Sequence, residues 1–73
     1  MARRIKRLSI EALRIAGPSL SNQYVHLHFK DGRVLVAKPM QLEGAEWKFV
    51  DSFGHLLRIE PKMLYGADYE IKD

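Results

Sequence analysis

Tyr24-Val-His-Leu-His-Phe-Lys-Asp-Gly-Arg-Val-Leu-Val-Ala-Lys38 decides the fold. Polar and apolar residues alternate on both sides of Asp31-Gly32, and alternation is the pattern of a strand buried on one face. A two-residue Asp-Gly loop favours a type I′ turn, whose twist matches that of the strands it joins. With such a loop Lys30 stands opposite Arg33, Phe29 opposite Val34, Leu27 opposite Val36, and His26 opposite Ala37. Val25, Leu27, Phe29, Val34 and Val36 then form one face, which must be buried. Tyr24, His26, His28, Leu35 and Ala37 form the other.

Upstream, Ile5, Leu8, Ala12 and Ile15 recur at helical spacing, and Arg3, Arg4, Lys6, Arg7, Glu11 and Arg14 fill the opposite arc. An amphipathic helix is expected over residues 4–16, ended by Gly17-Pro18. Two features pull towards a strand: cations in a first turn oppose the helix dipole, and residues 8–12 alternate. Pro18–Asn22 reads as a polar connector.

Downstream, Pro39 is expected to end the second strand, because proline removes a ladder donor. Glu46–Val50 reads as a third strand with Trp47 and Phe49 on one face. Asp51-Ser52-Phe53-Gly54 has the residues of a type I turn. His55–Glu60 follows as a fourth strand, whose Leu56-Leu57 pair leaves open which residue points inward. Pro61–Tyr65 suits a short helical turn with Gly66 just beyond it. Asp68–Ile71 is a last strand burying Tyr69 and Ile71. The expected fold class is mainly β (α+β): one domain over residues 1–73, with an N-terminal helix (4–16) and a small five-stranded antiparallel barrel (24–71). Curling into a barrel is the simplest way for short strands to protect their edges.

The chain has 73 residues and no cysteine. A core of this size supplies little stability of its own, disulfides are excluded, and self-association is the expected staple. No continuous apolar run follows the basic start, so neither a signal peptide nor a membrane span is expected, and the cytoplasm is the default location. The net charge of +3 is unevenly placed. Residues 1–16 hold five cations against Glu11 alone, whereas the remainder holds seven cations against eight acids. A cationic segment set apart in this way points to a polyanion.

Catalytic chemistry finds few materials. Threonine is absent, and Ser9, Ser19, Ser21 and Ser52 lie in expected caps or turns. No glycine-rich phosphate loop is present, and the expectation is a protein that is not an enzyme and carries no cofactor. His26 and His28 point to one side of a strand, but a metal site needs three or four ligands, and only His55, Glu43 or Glu46 are at hand. No metal is therefore assigned. With Tyr24 the two histidines instead form a ladder of flat rings able to stack bases.

The order helix, YVHLHFKDGRVLV, WKFVD, LLRIE, helical turn and closing strand resembles the Sm-like barrels, the family of Hfq and the Lsm proteins. That resemblance implies an SH3-like small barrel and RNA binding. Glu60-Pro61-Lys62-Met63 stands where Hfq-like proteins carry a Lys-His pair, so it assigns no binding residue here. The hairpin itself is similar to a group of short bacterial domains sharing V-x-L-x-F-x-D-G.

Two function classes follow. In the first, the chain binds RNA or DNA through Arg3, Arg4, Lys6, Arg7 and Arg14, aided by Tyr24, His26 and His28, with little sequence reading. In the second it is a protein-interaction module, touching a partner through the ring-bearing face or the Trp47–Phe49 region.

Overall fold

The computed structural model describes residues 4–71. Six strands form one antiparallel sheet: β1 (Arg4–Leu8), β2 (Val25–Phe29), β3 (Val34–Gln41), β4 (Trp47–Asp51), β5 (Leu56–Ile59) and β6 (Leu64–Ile71). One α-helix, α1 (Ile10–Ala16), and 3-10 turns at Gly17–Leu20 and Pro61–Met63 complete the elements of the described residues. The strand order is β1-β6-β2-β3-β4-β5, with β1 and β5 at the edges, so the sheet does not close into the expected barrel.

The continuous helix expected over residues 4–16 is two elements. Residues 4–8 are a strand that pairs with β6, from Arg4 opposite Ile71 to Leu8 opposite Ala67. Ser9 then opens the helix, its Oγ accepting the Ala12 N–H at 3.1 Å. Glu11 in the first turn and Arg14 in the last suit the helix dipole and form an ion pair. The cations of residues 4–7 thus lie outside the helix, where that dipole does not oppose them. Gly17 is right-handed helical (φ −47°), not a left-handed cap. Its missing side chain makes room for Leu42, whose Cδ1 would lie 2.5 Å from a Cβ there.

The central hairpin forms, but one residue out of the expected register. Leu27 stands opposite Leu35 and Val25 opposite Ala37. The cause lies at the turn. A type I′ loop requires positive φ at both Asp31 and Gly32, yet no residue other than glycine has positive φ among the described residues. Only Gly32 does, at φ 96°. The Gly32 N–H donates to the Phe29 carbonyl (3.0 Å) and the Phe29 N–H to the Arg33 carbonyl (2.8 Å), closing a three-residue Lys30-Asp31-Gly32 loop. Asp31 Oδ1 fixes it by accepting the Arg33 N–H at 3.0 Å, which holds the Asp31 carboxyl below its usual range. This one-residue slip turns Val34 and Val36 to the outer face and Leu35 and Ala37 to the inner one, where Ala37 is fully buried and Leu35, near the end of the hairpin, stays 40% exposed.

Pro39 does not end its strand. It is fully buried within β3, beside a bulge at which Met40 is the extra residue, a position that tolerates a missing donor. The inner face of the sheet packs under α1 and the loops. Leu13 of α1, Leu20 of the first 3-10 turn and Leu42 of the β3–β4 loop meet Leu27, Phe49 and Leu64. Trp47 and Phe49 lie inside this core at 4% and 0% exposure, which removes them as a partner surface. Leu57 packs against the core and Leu56 is exposed, settling that pair. Asp51–Gly54 forms the expected turn, with the Gly54 N–H donating to the Asp51 carbonyl at 3.1 Å. The last strand is longer than expected because it begins at Leu64 and absorbs Tyr65 as a bulge opposite the His28–Phe29 step.

Candidate nucleic-acid interface

Strand alternation sends Ile5 and Arg7 of β1, Asp68 and Glu70 of β6, and His26 and His28 of β2 to the outer face. Val34, Val36 and Lys38 of β3, Lys48 and Val50 of β4, and Leu56 and Arg58 of β5 join them. The helix and the Leu20 turn bury their apolar side chains on the other side, and Ile5, His26, Val34, Val36, Leu56 and Arg58 are all exposed. One face of the sheet therefore stands in solvent.

Its charge divides along the β2–β3 boundary. On the β1-β6-β2 side, register places Asp68 between Arg7 and His26. The Asp68 carboxylate bridges both histidines: Oδ1 lies 3.2 Å from His26 Nδ1 and Oδ2 lies 2.6 Å from His28 Nε2. One nitrogen of each imidazole is thereby committed, and a negative group sits inside the ring ladder expected to receive bases. On the β3-β4-β5 side the outward positions hold Lys38, Lys48 and Arg58 and no acid. Lys48 and Arg58 are direct cross-strand neighbours, an unfavourable pairing of like charges in the absence of a counter-ion. Tyr24 precedes β2 at the boundary, and Lys38 Nζ lies 4.7 Å from its ring centroid.

The expected site residues are thus only partly brought together. Arg3 lies outside the described residues. Arg4 and Lys6 lie on an edge strand with side chains opposite in direction to that of Arg7, and Arg14 pairs with Glu11 on α1, so the strip drawn on a helical wheel is broken. Tyr24, His26 and His28 do share the open face. Lys38, Lys48 and Arg58 were missed, because their alignment exists only once β3, β4 and β5 are in register. The like-charged K and R of WKFVD and LLRIE, each second or third in its strand, were the available signal.

A cleft of about 460 Å³ opens where Arg7, Ser9, His28, Tyr65, Gly66 and Asp68 meet. A His–Asp pair beside a serine has the parts of a nucleophilic site, but among the described residues Ser9 makes no hydrogen bond to His28 and is tied to the helix cap. His55, weighed as a metal ligand, lies in the β4–β5 turn, its N–H donating to Asp51 Oδ1 at 2.8 Å. Among the described residues no group of three His, Asp or Glu side chains is arranged to hold a metal ion. No helix among them is long and apolar enough to cross a membrane.

Fold and surface together define a small mainly-β domain: a six-stranded antiparallel sheet covered on one side and open on the other. No family model, curated protein or solved structure matches the chain.

Proposed function

We propose that this protein is a non-enzymatic binding module for nucleic acid, and that its docking surface is the open sheet face in place of a basic N-terminal helix. The observation that carries this reading is the cationic half of that face, where Lys48 and Arg58 stand side by side on neighbouring strands and Lys38 lies diagonally beyond them, with the acids Glu46 and Glu60 only past the strand ends. Phosphates offer such cations the charge they lack, and binding releases condensed counter-ions, so affinity falls steeply with salt. Arg7 and the basic residues of β1 add attraction at longer range. The test is binding of RNA and DNA at about 50 and 200 mM salt, with the wild type compared against Lys48→Glu/Arg58→Glu. Binding that weakens with salt and disappears in the double variant is the expected result. Binding unchanged by the double variant refutes the assignment of this face.

A protein-interaction role is the second reading. Ile5, Val34 and Val36 are 52%, 49% and 42% exposed on the same face, an apolar area that another chain, including a second copy, would cover. Sedimentation across a concentration range separates the two, since an apolar interface persists at high salt.

A further inference from the structure

We propose that the cleft between β1 and β6, on the half of the open face away from Lys48 and Arg58, binds a small organic monocarboxylate. The carboxylate sits on Arg7 and Ser9, and the apolar body lies over Gly66 against Tyr65. This site stands apart from the nucleic-acid surface and does not depend on it.

The cleft exists because three neighbouring positions are empty or turned aside. Gly66 faces outward opposite His28, where any other residue would raise a side chain. The backbone itself keeps that position empty, since a Cβ there would fall 2.9 Å from the Leu8 carbonyl oxygen. β1 stops at Leu8, which pairs with Ala67, so Ser9 leaves the sheet level with Gly66 and caps α1. Tyr65, the extra residue of the bulge opposite the His28–Phe29 step, stands at the rim with 79% exposure. The hollow that results, about 460 Å³ with a mainly apolar lining, has the size and character of a small-molecule site.

The polar groups on its walls select the ligand. Asp68 is the direct cross-strand neighbour of Arg7, but its oxygens are taken by His26 Nδ1 at 3.2 Å and His28 Nε2 at 2.6 Å. Among the described residues the Arg7 guanidinium makes no ion pair or hydrogen bond. It therefore offers an unused fork of donors, the shape that matches a carboxylate. Ser9 Oγ accepts the Ala12 N–H at 3.1 Å, which leaves its own hydrogen to donate. Asp68 then decides between anions. One guanidinium balances one negative charge, and a carboxylate fixed in the cleft wall opposes a second, so a monocarboxylate is preferred to a dianionic phosphate ester. An amine is repelled by Arg7 and finds both Asp68 oxygens already committed.

The experiment is a titration of the isotope-labelled full chain, followed by amide chemical shifts at fixed ionic strength. The probes are benzoate, isobutyrate, phenyl phosphate, benzylamine and benzyl alcohol. Saturable shifts at Arg7, Ser9, Tyr65 and Gly66 are expected with both carboxylates, several-fold weaker binding with phenyl phosphate, and none with the amine or the alcohol. Arg7→Gln, checked for an unchanged melting temperature, is expected to weaken benzoate binding by roughly ten-fold, the loss of charge-assisted hydrogen bonds. Arg7→Lys keeps the charge without the fork and is expected to recover only part of that loss; it also stands in should Arg7→Gln fail to fold. Lys48→Gln/Arg58→Gln is expected to leave benzoate binding unchanged. Carboxylate shifts centred on Lys38, Lys48 and Arg58 overturn the assignment to the cleft. Phenyl phosphate binding as tight as benzoate overturns the choice of carboxylate, and benzyl alcohol binding as tight overturns the role of Arg7. No saturable shift with either carboxylate overturns the proposal altogether, and leaves the nucleic-acid reading untouched.

Discussion

Gly66→Ala tests the fold at the point where the N-terminal segment meets the sheet. Gly66 lies on β6 opposite His28, and a Cβ built there falls 2.9 Å from the Leu8 carbonyl oxygen. Ordinary carbon–oxygen contacts lie near 3.3–3.6 Å, so the two strands must part by roughly half an ångström. Neither can give cheaply: the obstacle is backbone, and Leu8 is itself 7% exposed within the core. Overpacking of this kind costs about 1–3 kcal/mol. Replacing glycine also restricts the unfolded chain, which returns about 0.4–1 kcal/mol. The net loss is about 0.5–2 kcal/mol, a fall of very roughly 2–15 °C in melting temperature for a domain of this size. Thermal melting by circular dichroism reads the fall, and amide exchange reads its place: faster exchange in β1 is expected, with β4 unchanged. A variant that melts at or above the wild-type temperature with β1 still protected refutes the apposition of these two strands, and with it the strand at residues 4–8.

Other outcomes are equally concrete. Leu13→Ala empties a fully buried site on α1 and is expected to cost about 2–5 kcal/mol, whereas Ile15→Ala, 69% exposed two residues on, should stay within about 0.5 kcal/mol by denaturant unfolding. Gly32→Ala forces a side chain into φ 96° at the hairpin turn and is expected to lose about 1–2 kcal/mol; an unchanged midpoint would contradict the three-residue loop. Asp51 accepts the His55 and Phe53 N–H groups, first and foremost that of His55, and these hold its carboxyl below the usual range. A depressed folded-state value gives stability that is present above the unfolded value near 4 and is lost as pH falls through the folded one. Melting temperature followed through that acid range should therefore fall less steeply in Asp51→Asn than in the wild type, and parallel curves would count against the turn geometry.

The hairpin could be read from residues 24–38 because alternation and Asp31-Gly32 are local signals, and both strands are present. Its register could not, since it turned on the sign of φ at the single residue Asp31. The strand at residues 4–8 was hidden for a related reason. Ile5 and Leu8 fit a helical stripe, and the pairing with β6 that decides the matter joins residues more than fifty positions apart. The cations of Arg4, Lys6 and Arg7, ill-placed at a helix start, were the clue. Ser9, in the middle of the expected helix, instead caps the shorter one that forms. On the open face, Tyr24, His26 and His28 were legible as one row. The Asp68 carboxylate between the histidines and the alignment of Lys48 with Arg58 were not, because both arise only from long-range register.

Amide chemical-shift mapping of the isotope-labelled protein against a short single-stranded RNA tests the nucleic-acid surface most directly. Perturbations are expected along Tyr24, Lys38, Lys48, Val50 and Arg58, with α1 and the buried face of β4 unmoved. Shifts confined to Arg4–Arg7, or none at low salt, would contradict it.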